Sequence, residues 1–470
     1  MIRNHTTYSI RRAFGKPRDF ILKAHEQGYT HFVITDYAND HAFPYFRSEL
    51  DYLNSHGHNI DLKFIYGVEF FVTQDMLSKG RPNFEDINNG NDSVILIAKN
   101  NEGYVQLLKI LSDANLPEHY FVRPRIDFDY ISELDGENLV CILPYDFSTI
   151  SKLLLSDEEQ KAKQLLRLFK GVFQDDLYFE ITSNVSGVNK LINKKLLEFA
   201  SKNNIKCVAS SNTHYPNPED KKIHDVVLAI GEKKTFAEND LYSLGSSDNY
   251  LKNRDELLNG LIENGIDEEL SISLMKNIDE IFQKTTFDLE IAPMSLPSTD
   301  VILPDKYKGN EVGYFEYLIE KGWQELIIPR IGSGEWDEIK SEDVHIYEER
   351  RKYEFDMIKN MFTMKDPNHP MKNGFIPYFL MVSDYTKWAK GIDRRIMHDA
   401  PIIEVGPARG SVSGSLIGYL TRMSTIDPIP WNLTFERFIN PERISWPDVD
   451  LDFDPDVAWL VERYLIETYG

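Results

Sequence analysis

Over about the first two hundred residues, short apolar runs alternate with helical segments, and that rhythm restricts the chain to few folds. The runs are His31 to Thr35, Phe64 to Phe71, Val94 to Ala98, Leu139 to Leu143, Leu177 to Ile181 and Lys206 to Ala209. Continuous apolar runs of this length read as strands covered on both faces. Helical stretches such as Arg18 to Gln27, Gly103 to Ser112 and Lys190 to Lys202 separate them. Buried strands alternating with helices predict an α/β domain built on a parallel sheet or an α/β barrel. At 470 residues the chain has room for two or three cores of this kind.

A second pattern lies near the other end. Trp446-Pro447-Asp448-Val449-Asp450-Leu451-Asp452-Phe453 alternates acids with apolar residues. On a strand, positions i, i+2 and i+4 share a face, which groups Asp448, Asp450 and Asp452 and sets Val449, Leu451 and Phe453 behind them. Three carboxylates on one face repel, and nothing in the run supplies a base. A divalent cation relieves the repulsion, and hard oxygen ligands suit Mg²⁺ handling phosphates. An acidic edge strand facing water carries the same pattern. Upstream, Gly406-Pro407-Ala408-Arg409-Gly410-Ser411-Val412-Ser413-Gly414-Ser415 is a small-residue turn, and apolar Leu416 to Leu420 reads as a helix. A loop of this kind offers backbone N–H groups, hydroxyls and a helix dipole to a phosphate. It lacks the Gly-Lys-Ser/Thr of a Walker loop, and an ordinary strand–helix turn has a similar composition. Together with Arg437, Arg443 and the acidic run, all within about fifty residues, it describes a site for a metal-bound triphosphate.

Four blocks carry a resemblance. They are Val405-Gly406-Pro407-Ala408-Arg409-Gly410-Ser411 through Leu416, then Asp427-Pro428, then Phe435 to Arg443, then Pro447-Asp448-Val449-Asp450. In this order and spacing they resemble the palm of the C-family replicative DNA polymerases, the bacterial DNA polymerase III alpha subunits. The resemblance implies metal-binding catalytic aspartates at Asp448 and Asp450, with Asp452 as a supporting acid. It implies phosphate contacts at Gly410 and Ser411, aided by Arg409 and Arg437. It also implies two Mg²⁺ ions, primer–template DNA and dNTP as substrates, and other replisome proteins as partners. Ala408 stands where the family usually has glycine, and alanine does not tolerate φ > 0. Tyr353 to Met361, Pro377 to Tyr385 and Trp388-Ala389 resemble the helix pair ahead of the loop. Ile346, Arg350, Tyr353, Met357 and Met361 recur at helical spacing and predict one buried face. Met364 to Gly374 is rich in turn residues and reads as a loop between the two helices.

In the first half, Ile34-Thr35-Asp36, Tyr66-Gly67-Val68-Glu69-Phe70-Phe71, Ile97-Ala98-Lys99-Asn100, Asn212-Thr213-His214-Tyr215 and His224-Asp225 resemble the PHP (polymerase and histidinol phosphatase) domain that opens the same polymerases. The resemblance implies a PHP-type (β/α) barrel. Active relatives hold a metal cluster that begins with a His-x-His pair, and here that pair is Arg3 and His5. Further ligand positions hold Arg12, Tyr37, Ser93, Tyr145 and Asn212. His5, Glu69 and His214 remain as residual ligands. Three ligands suffice for one zinc, but the arginines oppose a multinuclear cluster. Neither a Zn²⁺ or Mn²⁺ centre nor a 3′–5′ exonuclease activity is therefore expected of the barrel, which serves the palm as a scaffold. The competing readings are a PHP-family metal-dependent phosphoesterase and a non-catalytic replisome assembly fragment.

The expected organisation is a PHP-like barrel at 1–235, linking helices at 236–288, and the N-terminal part of an α+β, nucleotidyltransferase-like palm at 289–470. The family continues into a thumb, a third catalytic aspartate and fingers, which the sequence does not contain. The chain is therefore expected to be inactive alone and to require a C-terminal polymerase portion. A split gene, an intein-interrupted piece or a truncation each accounts for this, and a phage or mobile-element source fits the divergent PHP ligands.

The formal net charge of −23 is unfavourable for contact with nucleic acid over most of the surface. Positive charge is local: Arg394 to Arg443 holds six arginines and no lysine against five acids. Arginine suits bidentate phosphate contacts. Cys141 and Cys207 both fall in predicted buried strands and read as core residues of a reducing compartment. No apolar run reaches the length of a membrane span, and no signal peptide is visible, so a cytoplasmic location without membrane partners is expected.

Overall fold

The computed structural model describes all residues except 80–91, 234, 236–247, 291–295, 365–370, 441 and 443–445. The chain divides into two units, Met1–Ala292 and Pro293–Gly470.

Among the described residues the first unit is built on seven strands: β1 (His31–Ile34), β2 (Lys63–Thr73), β3 (Asp92–Ala98), β4 (Ile126–Asp127), β5 (Leu139–Leu143), β6 (Leu177–Thr182) and β7 (Lys206–Ser210). Their order is β1-β2-β3-β5-β6-β7, with β4 pairing beside β2. Every apolar run singled out in the sequence is one of these strands, and β3, β5 and β6 are buried along their whole length. The sheet is mixed rather than parallel, because β3 runs antiparallel to both β2 and β5. A parallel return needs a crossover of a dozen or more residues, usually a helix. The stretch from Gln74 to Asn91, with its two glycines, proline and run of asparagines, has no apolar helical period.

The extended segment Arg3 to His5 closes the curled sheet between its two edges. Thr35 N donates to Asn4 O at 3.0 Å, while Thr213 N donates to Arg3 O at 3.0 Å and His5 N to Thr213 O at 2.9 Å. Flanking helices turn apolar stripes onto the strands; Pro17–Glu26, for example, buries Phe20, Ile21 and Ala24. The helices Arg254–Glu263 and Glu268–Lys284 fall in the stretch expected to link two domains. They instead place Leu257, Leu261, Leu274, Met275, Ile278 and Ile281 in the same core, and so belong to the first unit. Cys141 and Cys207 are buried free thiols.

The second unit is helical, with Glu311–Gly322, Val344–Asn360, Ile376–Ala389, Leu416–Leu420 and Ala458–Tyr469 as its α-helices. Phe315, Ile319, Ile358, Phe379, Leu416 and Phe435 share its main core. An α+β palm was expected, yet among the described residues β-structure here is confined to isolated bridges. The stripe on Val344–Asn360 also differs from the expected one. Tyr347, Glu354, Met357 and Ile358 are buried, whereas Ile346 and Tyr353 are each 40% exposed. Met357 and Met361 are buried as expected, but at Ile346 and Tyr353 the inward position lies one residue on and includes a carboxylate. Residues 365–370 of the expected loop between helices lie outside the described residues. Among the described residues no helix is long and apolar enough to cross a membrane.

Candidate functional site

The acidic run is extended but is not a regular strand. Its only β-bridge partner among the described residues is the segment Val405 to Arg409, joined by the antiparallel bridges Val405↔Phe453 and Arg409↔Asp450. Three residues lie between the bridges on one side and two on the other, so the pairing bulges, and Pro407 has no N–H to extend it. Alternation survives nonetheless. Val449 and Leu451 pack on the core of the second unit, while Asp448 and Asp452 are exposed.

The base missing from the run comes from the facing loop. Arg409 Nη2 donates to Asp450 Oδ1 at 3.0 Å and Nη1 donates to Asp452 Oδ1 at 2.8 Å. The hydrogen bond to Asp450 and the charges of Asp452, Asp450 and Asp448 raise the Arg409 pKa. Gly410 follows with φ +71°, and a Cβ there would lie 2.8 Å from Asp450 Oδ2. Only glycine permits both the left-handed backbone and this approach. Gly406 N donates to Asp452 O at 2.9 Å, which fixes the other end of the pairing. Gly410–Gly414 forms a 3₁₀ turn whose leading N–H groups, Ser411 among them, have no partner within the turn. Asp448 and Asp450 also flank Tyr378: burial raises its phenol pKa, and both acids push it the same way. Arg437 is exposed and forms no hydrogen bond or ion pair among the described residues, and Arg443 lies outside them.

One expectation for the loop is overturned. The N-terminus of Leu416–Leu420 is not open to a phosphate, because the buried Glu354 carboxylate already occupies it. Glu354 accepts from Leu416 N and Ile417 N, both at 2.9 Å, and from Ser415 Oγ at 2.8 Å. Arg350 donates to Glu354 at 2.6 Å and reaches Gly414 O at 2.7 Å and Leu433 O at 3.1 Å. Helix Val344–Asn360 thus fixes the far end of the small-residue loop, leaving the Gly410–Ser411 end to face the acids. Glu354 escaped the sequence reading, although a glutamate four residues after Arg350 within a buried stripe is a usable signal.

The barrel presents a different arrangement. Arg3, fully buried, donates Nε and Nη2 to the two carboxylate oxygens of Glu69, each at 2.8 Å. Its Nη1 donates to Asp146 at 2.7 Å and to Glu180 at 2.9 Å. His5 Nε2 lies 3.2 Å from Glu69 Oε2, off the line of a hydrogen bond. The His5 ring stacks on Tyr37 at 4.1 Å and meets His214 at 4.6 Å. Ser93 donates to Glu69 at 2.6 Å, and Asn212 to Asp146 at 2.9 Å. The residual ligands His5, Glu69 and His214 are therefore brought together, around a guanidinium. Burial opposes the charge on Glu69, but Arg3 and His5 outweigh it and hold the pKa down at about 2. Burial dominates at Glu180 and pushes its pKa up. Asp146 and Glu180 were missed by the sequence reading; an acid inside the apolar run Leu177–Thr182 marks the second.

Comparison with known proteins bears on both units. Residues 2–184 match the PHP domain model, and residues 314–470 match that of the bacterial DNA polymerase III alpha NTPase domain. The DNA polymerase III subunit alpha of Aquifex aeolicus is 32% identical over 99% of this chain and 37% of its own length. Those of Campylobacter jejuni and Borreliella burgdorferi are 30% and 29% identical over 99% of this chain, and over 37% and 36% of their own lengths. The chain belongs to the DNA polymerase III alpha family. It corresponds to the N-terminal part, a PHP domain followed by the polymerase region, and spans little more than a third of these relatives.

Family membership implies a divalent metal in the polymerase region. Among the described residues no three His, Cys, Asp or Glu side chains form a ready-made metal cluster. Asp448 and Asp450 still fit a Mg²⁺ site, which commonly takes one or two protein carboxylates and completes its shell with phosphate and water. The Asp450 side chain is 36% exposed and its present counter-ion is a flexible arginine, so its oxygens are accessible.

Proposed function

We propose that this chain is the N-terminal portion of a DNA-directed DNA polymerase that performs Mg²⁺-dependent nucleotidyl transfer in replication, and that activity requires a separate C-terminal portion. The pairing of the Gly410 turn with Asp450 through Arg409 carries this reading. It sets carboxylates, an arginine and backbone donors side by side, the set that a metal-bound triphosphate needs. When bound at Asp448 and Asp450, two Mg²⁺ ions would neutralise triphosphate charge and make the primer 3′-hydroxyl more acidic. Arg409 exchanges Asp450 and Asp452 for phosphate oxygens as the nucleotide arrives, and Asp452 holds it in waiting. Gly410 and Ser411 orient the triphosphate with their N–H groups. Arg437 adds a phosphate contact from the exposed side. Pairing with the template selects the base, and DNA, dNTP and replisome proteins in the cytoplasm are the partners.

The barrel acts as a scaffold in this proposal. A phosphoesterase would need its metal where Arg3 lies, and the guanidinium supplies that positive charge permanently. The test combines this chain with a polypeptide carrying the thumb and fingers of a relative, and measures Mg²⁺-dependent primer extension. Extension by the mixture, absent from each piece and from the Asp448→Ala, Asp450→Ala double variant, is expected. A mixture no better than either piece overturns the proposal.

A further inference from the structure

The second unit contains a cavity of about 320 Å³ that plays no part in the site above. Helix Glu311–Gly322, the end of Ile376–Ala389 and the residues after Leu416–Leu420 form its walls. Four cations, Lys306, Lys321, Lys387 and Arg422, line it against two acids, Glu325 and Asp393. Arg422 donates to Glu325 at 2.7 Å, and Lys321 Nζ lies 3.8 Å from the same carboxylate, so one acid is shared by two cations. Lys306 lies 4.7 Å from the Tyr307 ring centre and 4.9 Å from that of Tyr317, which leaves its charge available to a ligand.

Lys387 is the decisive residue. It is 8% exposed, and no hydrogen bond or ion pair holds its ammonium among the described residues. The ammonium is not among the polar atoms sealed from solvent, so it opens into the cavity, where an anion would complete it. Burial lowers its pKa to about 8; Asp393 raises it and Lys321 lowers it further. The walls are firmly set, since a Cβ at Gly322 would lie 2.0 Å from Leu420 O. The wall also continues directly into a π-helical turn, Trp323–Ile327, a local geometry frequent at functional sites.

We propose that this cavity binds a small phosphate-bearing anion, with Lys387 as its buried anchor and Lys306 and Lys321 at its mouth. The four cations of the lining exceed its two acids by two charges, close to the charge of a phosphate monoester near neutral pH. Compact ammonium groups suit phosphate as point charges. The proposal does not depend on the polymerase reading, since none of these residues contacts the acidic run.

The experiment uses the whole chain in EDTA, with inorganic pyrophosphate as the probe. Limited acetylation followed by peptide mass spectrometry reads each lysine with and without pyrophosphate, and calorimetry reads the affinity. Selective protection of Lys387 is expected, with exposed Lys202 unchanged, and Lys387→Met should weaken binding about tenfold or more. Lys387→Arg, which keeps the charge, should retain part of it. Unprotected Lys387, or pyrophosphate binding that survives Lys387→Met, overturns the proposal. Binding lost in Arg409→Ala but kept in Lys387→Met would assign the anion to the Gly410 turn instead, and would equally overturn it.

Discussion

Arg3 grips both carboxylate oxygens of Glu69 at 2.8 Å, and neither side chain is exposed. Removing one partner of a buried pair strands the other, which costs about 3–5 kcal/mol. Arg3→Met leaves Glu69, Asp146 and Glu180 without their cation, and the first unit should lose stability on that scale. All six tryptophans lie in the second unit, so their fluorescence transition should stay in place while far-UV circular dichroism shows an earlier one. Arg3→Lys keeps the charge without the fork and should fall between.

Arg409 and Gly410 should matter for primer extension in the reconstituted enzyme far more than for folding. Arg409→Ala removes the phosphate contact proposed for it, and about a hundredfold loss of rate is expected. Gly410→Ala brings a Cβ against Asp450 Oδ2 and should displace that carboxylate, with a loss of similar size. Asp452→Asn, which only loosens Arg409, should cost much less. Equal losses at Asp452 and Asp450 would give Asp452 a direct role.

Glu354 joins the Val344–Asn360 helix to the N-terminus of Leu416–Leu420. Glu354→Ala leaves two N–H groups and Arg350 without their acceptor, and tryptophan fluorescence should show the second unit weakened by about 2–3 kcal/mol in urea. Glu354→Gln, which keeps an acceptor oxygen, should be milder.

Lys387 gives a pH-dependent signature. Its folded pKa, about 8, lies below the ordinary value of 10.5, so the unfolded chain binds more protons between them. The burial penalty is complete below about pH 8 and disappears as pH rises through 10.5. The shift corresponds to about 3 kcal/mol. Lys387→Met should therefore stabilise the second unit at pH 7, and its advantage over the wild type should shrink at pH 9.5. Urea titrations followed by tryptophan fluorescence at the two pH values measure this; an advantage independent of pH would contradict it.

Much of this was legible in the residues. Strands β1 to β3 and β5 to β7 appear where apolar runs demanded them, because a continuous apolar run has no stable place except between covering layers. The direction of β3 was not legible as a strand property; it depends on what the preceding connection can form. The stripe on Val344–Asn360 was right at Met357 and Met361 but not at Ile346 and Tyr353, because apolar spacing alone cannot reveal that a glutamate is the residue turned inward.

The sequence by itself determined the barrel-forming rhythm, the family and the sharing of one face by Asp450 and Asp452. Each follows from local periodicity or from a motif read along the chain. Only the tertiary structure decided which cations meet which acids. Arg3 collects carboxylates from β2, β6 and the residues after β5, Arg409 reaches more than forty positions along the chain, and Glu354 caps a helix more than sixty positions away. A period states which way a side chain faces, whereas its partner is set by how distant segments pack.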